Sequence, residues 1–205
     1  MELIELALEG PHHLRTPEAA SAFDPPSKRG VFLWTLRSGA RYRIALVGQA
    51  RDVRRRLFRG ITELLGGGRP IYRLSDLAAA DAVPDPVYSG KRKDLLQAFL
   101  EEREQLSMLA YQNLTTYDFF WARVQAKRKV REAVESAIIV RAQEVGAPIQ
   151  NAGPSRAHEE TERLIVRPGL PAGVGIEGLE EDLSYGVRML PQAGPIQVRP
   201  EDYTG

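Results

Sequence analysis

The sequence predicts an α+β fold, a small sheet flanked by helices with an extension at each end, and three observations predict it. Two apolar runs rich in β-formers, Gly30 to Leu36 and Tyr42 to Gly48, are separated by Arg37-Ser38-Gly39-Ala40, the pattern of a β-hairpin. A basic stretch with helical periodicity follows at once. Further on, the aromatic and β-branched run from Tyr117 to Val124 leads into a second helical pattern.

Taken in chain order, residues 1–9 remain open between strand and helical turn, because Leu6 and Leu8 alternate while Leu3, Ile4 and Ala7 fit helical spacing. Pro11, Pro17, Pro25 and Pro26 make the next stretch irregular, so residues 1–29 are expected to form an N-terminal arm. After the hairpin, Asp52 is an N-cap, and Val53, Leu57, Ile61, Leu64 and Leu65 share one helical face. Gly66-Gly67-Gly68 ends that helix and lacks the Lys-Ser/Thr of a phosphate-binding P-loop. Residues 69–90 are rich in turn formers. A helix is expected from about 91 to 110, with Leu95, Leu96, Phe99, Leu100, Leu106 and Leu109 inward. After the third strand comes a helix from about 127 to 145, stopped by Gly146 and Pro148. The remainder is rich in Gly, Pro and acids, with one short strand expected at Leu164-Ile165-Val166. Trp34 and Trp121 read as core aromatics of the sheet.

The 205 residues suit one domain with insertions. The chain has no cysteine, which excludes disulfides, thiolate metal sites and a thiol nucleophile. No apolar run approaches the roughly 20 residues needed to cross a bilayer, and residues 1–5 do not resemble a secretory signal, so a cytoplasmic protein without a membrane partner is expected. His12-His13 lacks a spaced third ligand and reads as surface.

Charge is strongly segregated. From Lys28 to Arg59 ten basic residues face one acid, Asp52, whereas residues 1–27 hold five acids and one Arg. Such a block either forms a polyanion-attracting surface or a solvated helix face. Lys91-Arg92-Lys93 and Lys127-Arg128-Lys129 stand at helix starts, where they oppose the helix dipole, which favours phosphate contacts over a structural purpose.

Particular residues at the junctions carry a family resemblance. Gly30-Val31-Phe32 opens the first strand, Leu46-Val47-Gly48 closes the second, Asp52 starts the helix and Arg56 lies eight residues beyond Gly48. Glu135 sits on the later helix, and Asn151 follows it. In these positions the chain resembles the GIY-YIG nuclease superfamily over roughly residues 30–60 and 117–153. The resemblance implies a three-stranded antiparallel sheet flanked by helices, a nuclease domain at 30–153 with a helical insertion at about 61–116, and a C-terminal extension at 154–205. It also implies a Mg²⁺- or Mn²⁺-dependent DNA endonuclease of restriction or defence type, acting on double-stranded DNA, with a homodimer suited to cutting two strands.

By the resemblance, Glu135 is the metal ligand, Arg56 stabilises charge on the phosphate, and Asn151 orients the Glu or a phosphate. On the helical wheel Arg56 borders the apolar face, whereas Arg55 and Arg59 point outward. Arg51, Arg54, Arg55, Arg59, Lys91, Lys127 and Arg128 are the expected nucleic-acid contacts. The plainer reading of Glu135 is a surface ion pair with Arg131 one turn earlier. The family's two tyrosines are replaced by Phe32 and Leu46, and its helix His by Gly60. Phe and Leu cannot transfer a proton, so Tyr42, foremost, with Tyr117, Tyr72 and His158, are candidate substitutes. The alternative is a member that binds nucleic acid or a partner without cutting.

Overall fold

The computed structural model of the chain describes residues 2–73, 86–88, 100–150 and 164–185. In order these form β1 (Glu2–Ala7), β2 (Glu9–His13), α1 (Pro17–Ala22), β3 (Gly30–Ser38), β4 (Arg41–Ala50), α2 (Val53–Leu65), α3 (Arg103–Thr116), β5 (Tyr117–Arg123), α4 (Arg128–Glu144), β6 (Leu164–Gly169), β7 (Gly175–Ile176) and β8 (Leu183–Tyr185). The fold is α+β, with a five-stranded sheet ordered β2-β5-β3-β4-β7 and a three-stranded sheet ordered β1-β6-β8.

The three expected strands are the centre of the larger sheet, with β3 antiparallel to both β4 and β5. That sheet has five strands rather than three, because β2 pairs with β5 and the short β7 runs parallel to the start of β4. Nor is the N-terminal segment an arm. β1 pairs in parallel with β6 from Glu2↔Leu164 to Ala7↔Gly169, so the two ends of the described chain share a sheet. The proline-rich lead-in clamps the start of α2. The carbonyls of Lys28 and Pro26 accept from the N–H groups of Val53 and Arg54, and the Ser27 hydroxyl donates to Asp52 at 2.7 Å. Asp52 in turn caps the Arg55 N–H, as its sequence position predicts.

Alternation along β3 divides the core in two. Val31 and Leu33 meet Val134, Ala137 and Ile138 of α4, while Phe32, Trp34 and Leu36 meet Val53, Leu57 and Ile61 of α2 and Leu106 and Leu114 of α3. α2 and α4 therefore cover opposite faces. Trp34 pairs with Leu46 but Thr35 with Ile44, leaving Ala45 as an extra residue in β4. This bulge switches the alternation: Tyr42 and Ile44 side with α4, whereas Leu46 sides with α2 and Gly48 lies beneath the ring of Phe32.

α3 runs to Thr116, six residues past the expected end of that helix. The run Asn113-Leu114-Thr115-Thr116 reads as a helix stop, but buried Asn113 holds both the N–H and the carbonyl of Tyr72, and the Thr115 and Thr116 hydroxyls bond back to the Gln112 carbonyl. Tertiary contacts override the local preference. The expected helix over 91–99 lies outside the described residues.

Candidate functional site

One end of the larger sheet gathers the starts of both flanking helices. β3 begins at Gly30, opposite Ala50 of β4 and Arg123 of β5, and α2 and α4 each start a few residues beyond those strand ends. Backbones are close here: a Cβ at Gly30 would stand 2.2 Å from the Ala122 carbonyl oxygen. Among the described residues β7 pairs only with Arg41 and Tyr42, so no strand covers the outer edge of β4 at Gln49.

Glu135 of α4 reaches this edge, and its carboxylate accepts the Gln49 backbone N–H. Burial, reinforced by the negative charge of Glu132, pushes its pKa up to about 7 against the opposing pull of that N–H and of Arg56. The charge of Arg56 on α2 is the weakest of these influences, and it reaches Glu135 although the two helices cover opposite faces. The surface ion pair expected between Glu135 and Arg131 is not formed. Arg131 is buried at 2 % exposure and donates to Gln49 Oε1 at 3.3 Å and to the Ala126 carbonyl at 2.6 Å.

A positive cluster surrounds Arg131, one helical turn before Glu135 on α4. The pKa of Arg131 is lowered first by burial, then by the neighbouring charges of Arg29 and Arg51, with Arg128 adding to them. Arg51 and Arg55 are exposed, as is Lys127 at the start of α4. Other expected contacts are partly committed elsewhere. Arg54 bonds to the Pro25 carbonyl and pairs with Asp24, Arg59 pairs with Glu63, and Arg128 pairs with Glu132. Asn151, Lys91 and His158 lie outside the described residues. Gln150, the neighbour of Asn151, donates its N–H to the Ala45 carbonyl of β4 at 2.7 Å.

Tyr42 does not join the group. It packs edge-on to Phe120 under α4, near the far end of β4 from Gln49. Seven residues of strand put it roughly 20 Å away. Of the other candidate tyrosines, Tyr117 is buried beneath α2 and α3 with its pKa raised to about 12, burial being the main cause.

Sequence reasoning missed Arg69. A Cβ at Gly60 would stand 3.1 Å from the Trp34 ring and 3.4 Å from an Arg69 guanidinium nitrogen, so Gly60 leaves the space that Arg69 uses. Arg69 lies over the Trp34 ring at 5.1 Å and meets Glu63 at 3.3 Å. Glu63 also pairs with Arg59 at 2.7 Å and lies 3.9 Å from Arg56, so three guanidiniums share one carboxylate. Only the emptiness of residue 60 hints at this in the sequence.

Among the described residues no three His, Asp or Glu groups cluster as a metal cage. A lone carboxylate still suits Mg²⁺, which keeps much of its water and shares substrate phosphates as ligands. The raised pKa of Glu135 shows a charge that the fold under-compensates, and a divalent cation would compensate it. No described helix is long and apolar enough to cross a membrane. No protein-family model, curated protein or solved structure matches the chain.

Proposed function

We propose that the chain is a divalent-metal-dependent endonuclease that hydrolyses phosphodiester bonds in double-stranded DNA, a degenerate GIY-YIG-type enzyme of restriction or defence character. The observation that carries this reading is a half-buried carboxylate, Glu135, held on the Gln49 N–H at the uncovered edge of β4, with Arg56 near enough to oppose its raised pKa and a cluster of Arg29, Arg51 and Arg128 around Arg131 one turn earlier. The cluster draws in a polyanion by counterion release. Arg56 presents a planar fork to phosphate oxygens and stabilises the charge that grows on them in the transition state. Glu135, oriented by the Gln49 N–H, is the residue that would hold Mg²⁺ or Mn²⁺, and the cation would supply Lewis-acid activation of the phosphate. A twofold dimer would present two such centres to the two strands.

Conversion of supercoiled plasmid to open-circular or linear DNA, dependent on Mg²⁺ or Mn²⁺, is the expected result. An inert protein that still binds duplex DNA would overturn the enzyme reading. One observation favours that second reading, a binder that does not cut: Phe32 is 3 % exposed, Leu46 is partly buried in the same apolar cluster, and neither offers a hydroxyl.

A further inference from the structure

Beside Leu46, on the face covered by α2, a recess of about 70 Å³ is lined by Arg69, Tyr117, Gln150 and Trp34 together with apolar neighbours. Ligand pockets usually measure roughly 300–1,000 Å³, so this one admits a single small group and not a whole nucleotide. Its polar lining is biased toward donors. Gln150 Nε2 donates to the Tyr117 hydroxyl oxygen at 2.9 Å, which leaves the Tyr117 proton to be given elsewhere. The Trp34 indole N–H has no partner among the described residues. Among the described residues no carboxylate lines the recess, and the counter-charge of Arg69, Glu63, is shared with Arg56 and Arg59. A half-enclosed cation that shares its carboxylate with two other guanidiniums, with a phenolic proton beside it, suits a small anion.

We propose that this recess binds one phosphate group, held by the Arg69 guanidinium and the Tyr117 hydroxyl, as a second anion subsite alongside Arg56. Burial and the proximity of Arg56 both lower the pKa of Arg69, and a bound dianion would reverse that effect. Gly60 gives the subsite its room, since a Cβ there would stand 3.1 Å from the Trp34 ring and 3.4 Å from the Arg69 guanidinium and tighten the stack. The subsite rests on the proposed function only for the identity of the polymer that carries the phosphate. Binding of phosphate itself is independent of metal and of cutting.

The test is calorimetric titration of the full chain with inorganic phosphate, beside Arg69→Gln and Tyr117→Phe, with circular dichroism confirming that each variant is folded. Wild type should bind phosphate saturably. Arg69→Gln should weaken binding at least tenfold, and Tyr117→Phe, which removes only the hydroxyl, roughly tenfold, the scale of one hydrogen bond to a charged group. Duplexes with and without a 5′-phosphate then identify the source. A gain from the 5′-phosphate that disappears in Arg69→Gln assigns a terminal monoester, an equal loss on both duplexes assigns an internal diester, and an effect on inorganic phosphate alone assigns the free anion. Should Arg69→Gln fail to fold, Tyr117→Phe decides. No saturable phosphate binding by wild type, or binding unchanged in the folded variants, overturns the proposal. Plasmid cleavage in the same samples reports separately on the nuclease reading, because a protein inert toward plasmid can still lose phosphate binding in Arg69→Gln.

Discussion

Phe32 and Gly48 face each other across β3 and β4, and the Phe32 ring fills the space above residue 48: a Cβ there would stand 2.2 Å from Phe32 Cζ. The contact fixes the ring on the α2 face, and it requires glycine for room rather than for backbone freedom. Gly48→Ala should therefore destabilise the protein by about 1–3 kcal/mol through overpacking. Adding Phe32→Leu should recover part of that loss, because the two side chains then no longer compete. Urea unfolding of the two single variants and the double variant reads the coupling, and additive losses would contradict it.

The carboxylate of Glu135 makes stability fall as pH rises. Its folded pKa of about 7 lies above the ordinary 4.5, so the folded state holds the extra proton between those values and loses stability across that window. Ionised Glu135 is thus unfavourable in the metal-free protein. Glu135→Gln should match wild type below pH 4.5 and exceed it above pH 7 by on the order of 1–2 kcal/mol, after discounting for partial exposure. Mg²⁺ affinity should show the opposite trend, strengthening up to tenfold per pH unit as pH approaches 7 and then levelling. Thermal melts and magnesium titrations from pH 4 to pH 8.5 would check both slopes.

Some residues of the basic block are already paired. Arg51, Arg54 and Arg55 are all exposed, but Arg54 is also tied to Pro25 and Asp24 of the lead-in. Arg51→Ala and Arg55→Ala should each lower the salt slope of duplex-DNA binding by about one. Arg54→Ala should change that slope less and lower the melting temperature more. Fluorescence anisotropy over a range of salt, paired with melting curves, separates the two classes; equal slopes for all three variants would show that the pairing is irrelevant.

The parts of the fold that were legible in the sequence are those whose causes are local. The turn at Gly39 and the alternation on either side marked β3 and β4, Asp52 marked the start of α2, and Gly66 its end. β1 was not legible, because its partner β6 lies some 160 residues away and its own alternation is too short to decide. The Ala45 bulge was equally hidden. Without it Leu46 and Gly48 would share the face of Tyr42; with it they lie on the α2 face and Tyr42 on the α4 face. Arg56 and Glu135 were singled out by position in the chain, whereas the place of Arg69 over Trp34 depends on the space left by Gly60, which no local pattern marks.

Cutting and binding are separated by substitutions at both sides of the β4 end. Suppose the protein cleaves plasmid DNA although neither Phe32 nor Leu46 carries a hydroxyl. Glu135→Ala should then abolish cleavage and leave most of the duplex affinity, since the cluster of Arg29, Arg51 and Arg128 is unaltered. Arg56→Ala should lower the cleavage rate on the order of 10²- to 10³-fold with a smaller loss of affinity, because its charge matters most as the transition state forms. Phe32→Tyr is the informative gain. The ring tip lies over Gly48 on the face covered by α2, the helix that carries Arg56, so the added hydroxyl would enter the β4 end from the Arg56 side. It should raise the rate by roughly tenfold or more, part of what general acid–base assistance supplies. Leu46→Tyr would instead crowd the recess beside Arg69 and Tyr117, and its effect should be smaller or adverse. If wild type and Phe32→Tyr are both folded and bind duplex DNA, yet neither nicks plasmid with Mg²⁺ or Mn²⁺ across many sequences, the centre is not an enzyme's. The chain is then a nucleic-acid binder that has kept the positive cluster and lost the chemistry.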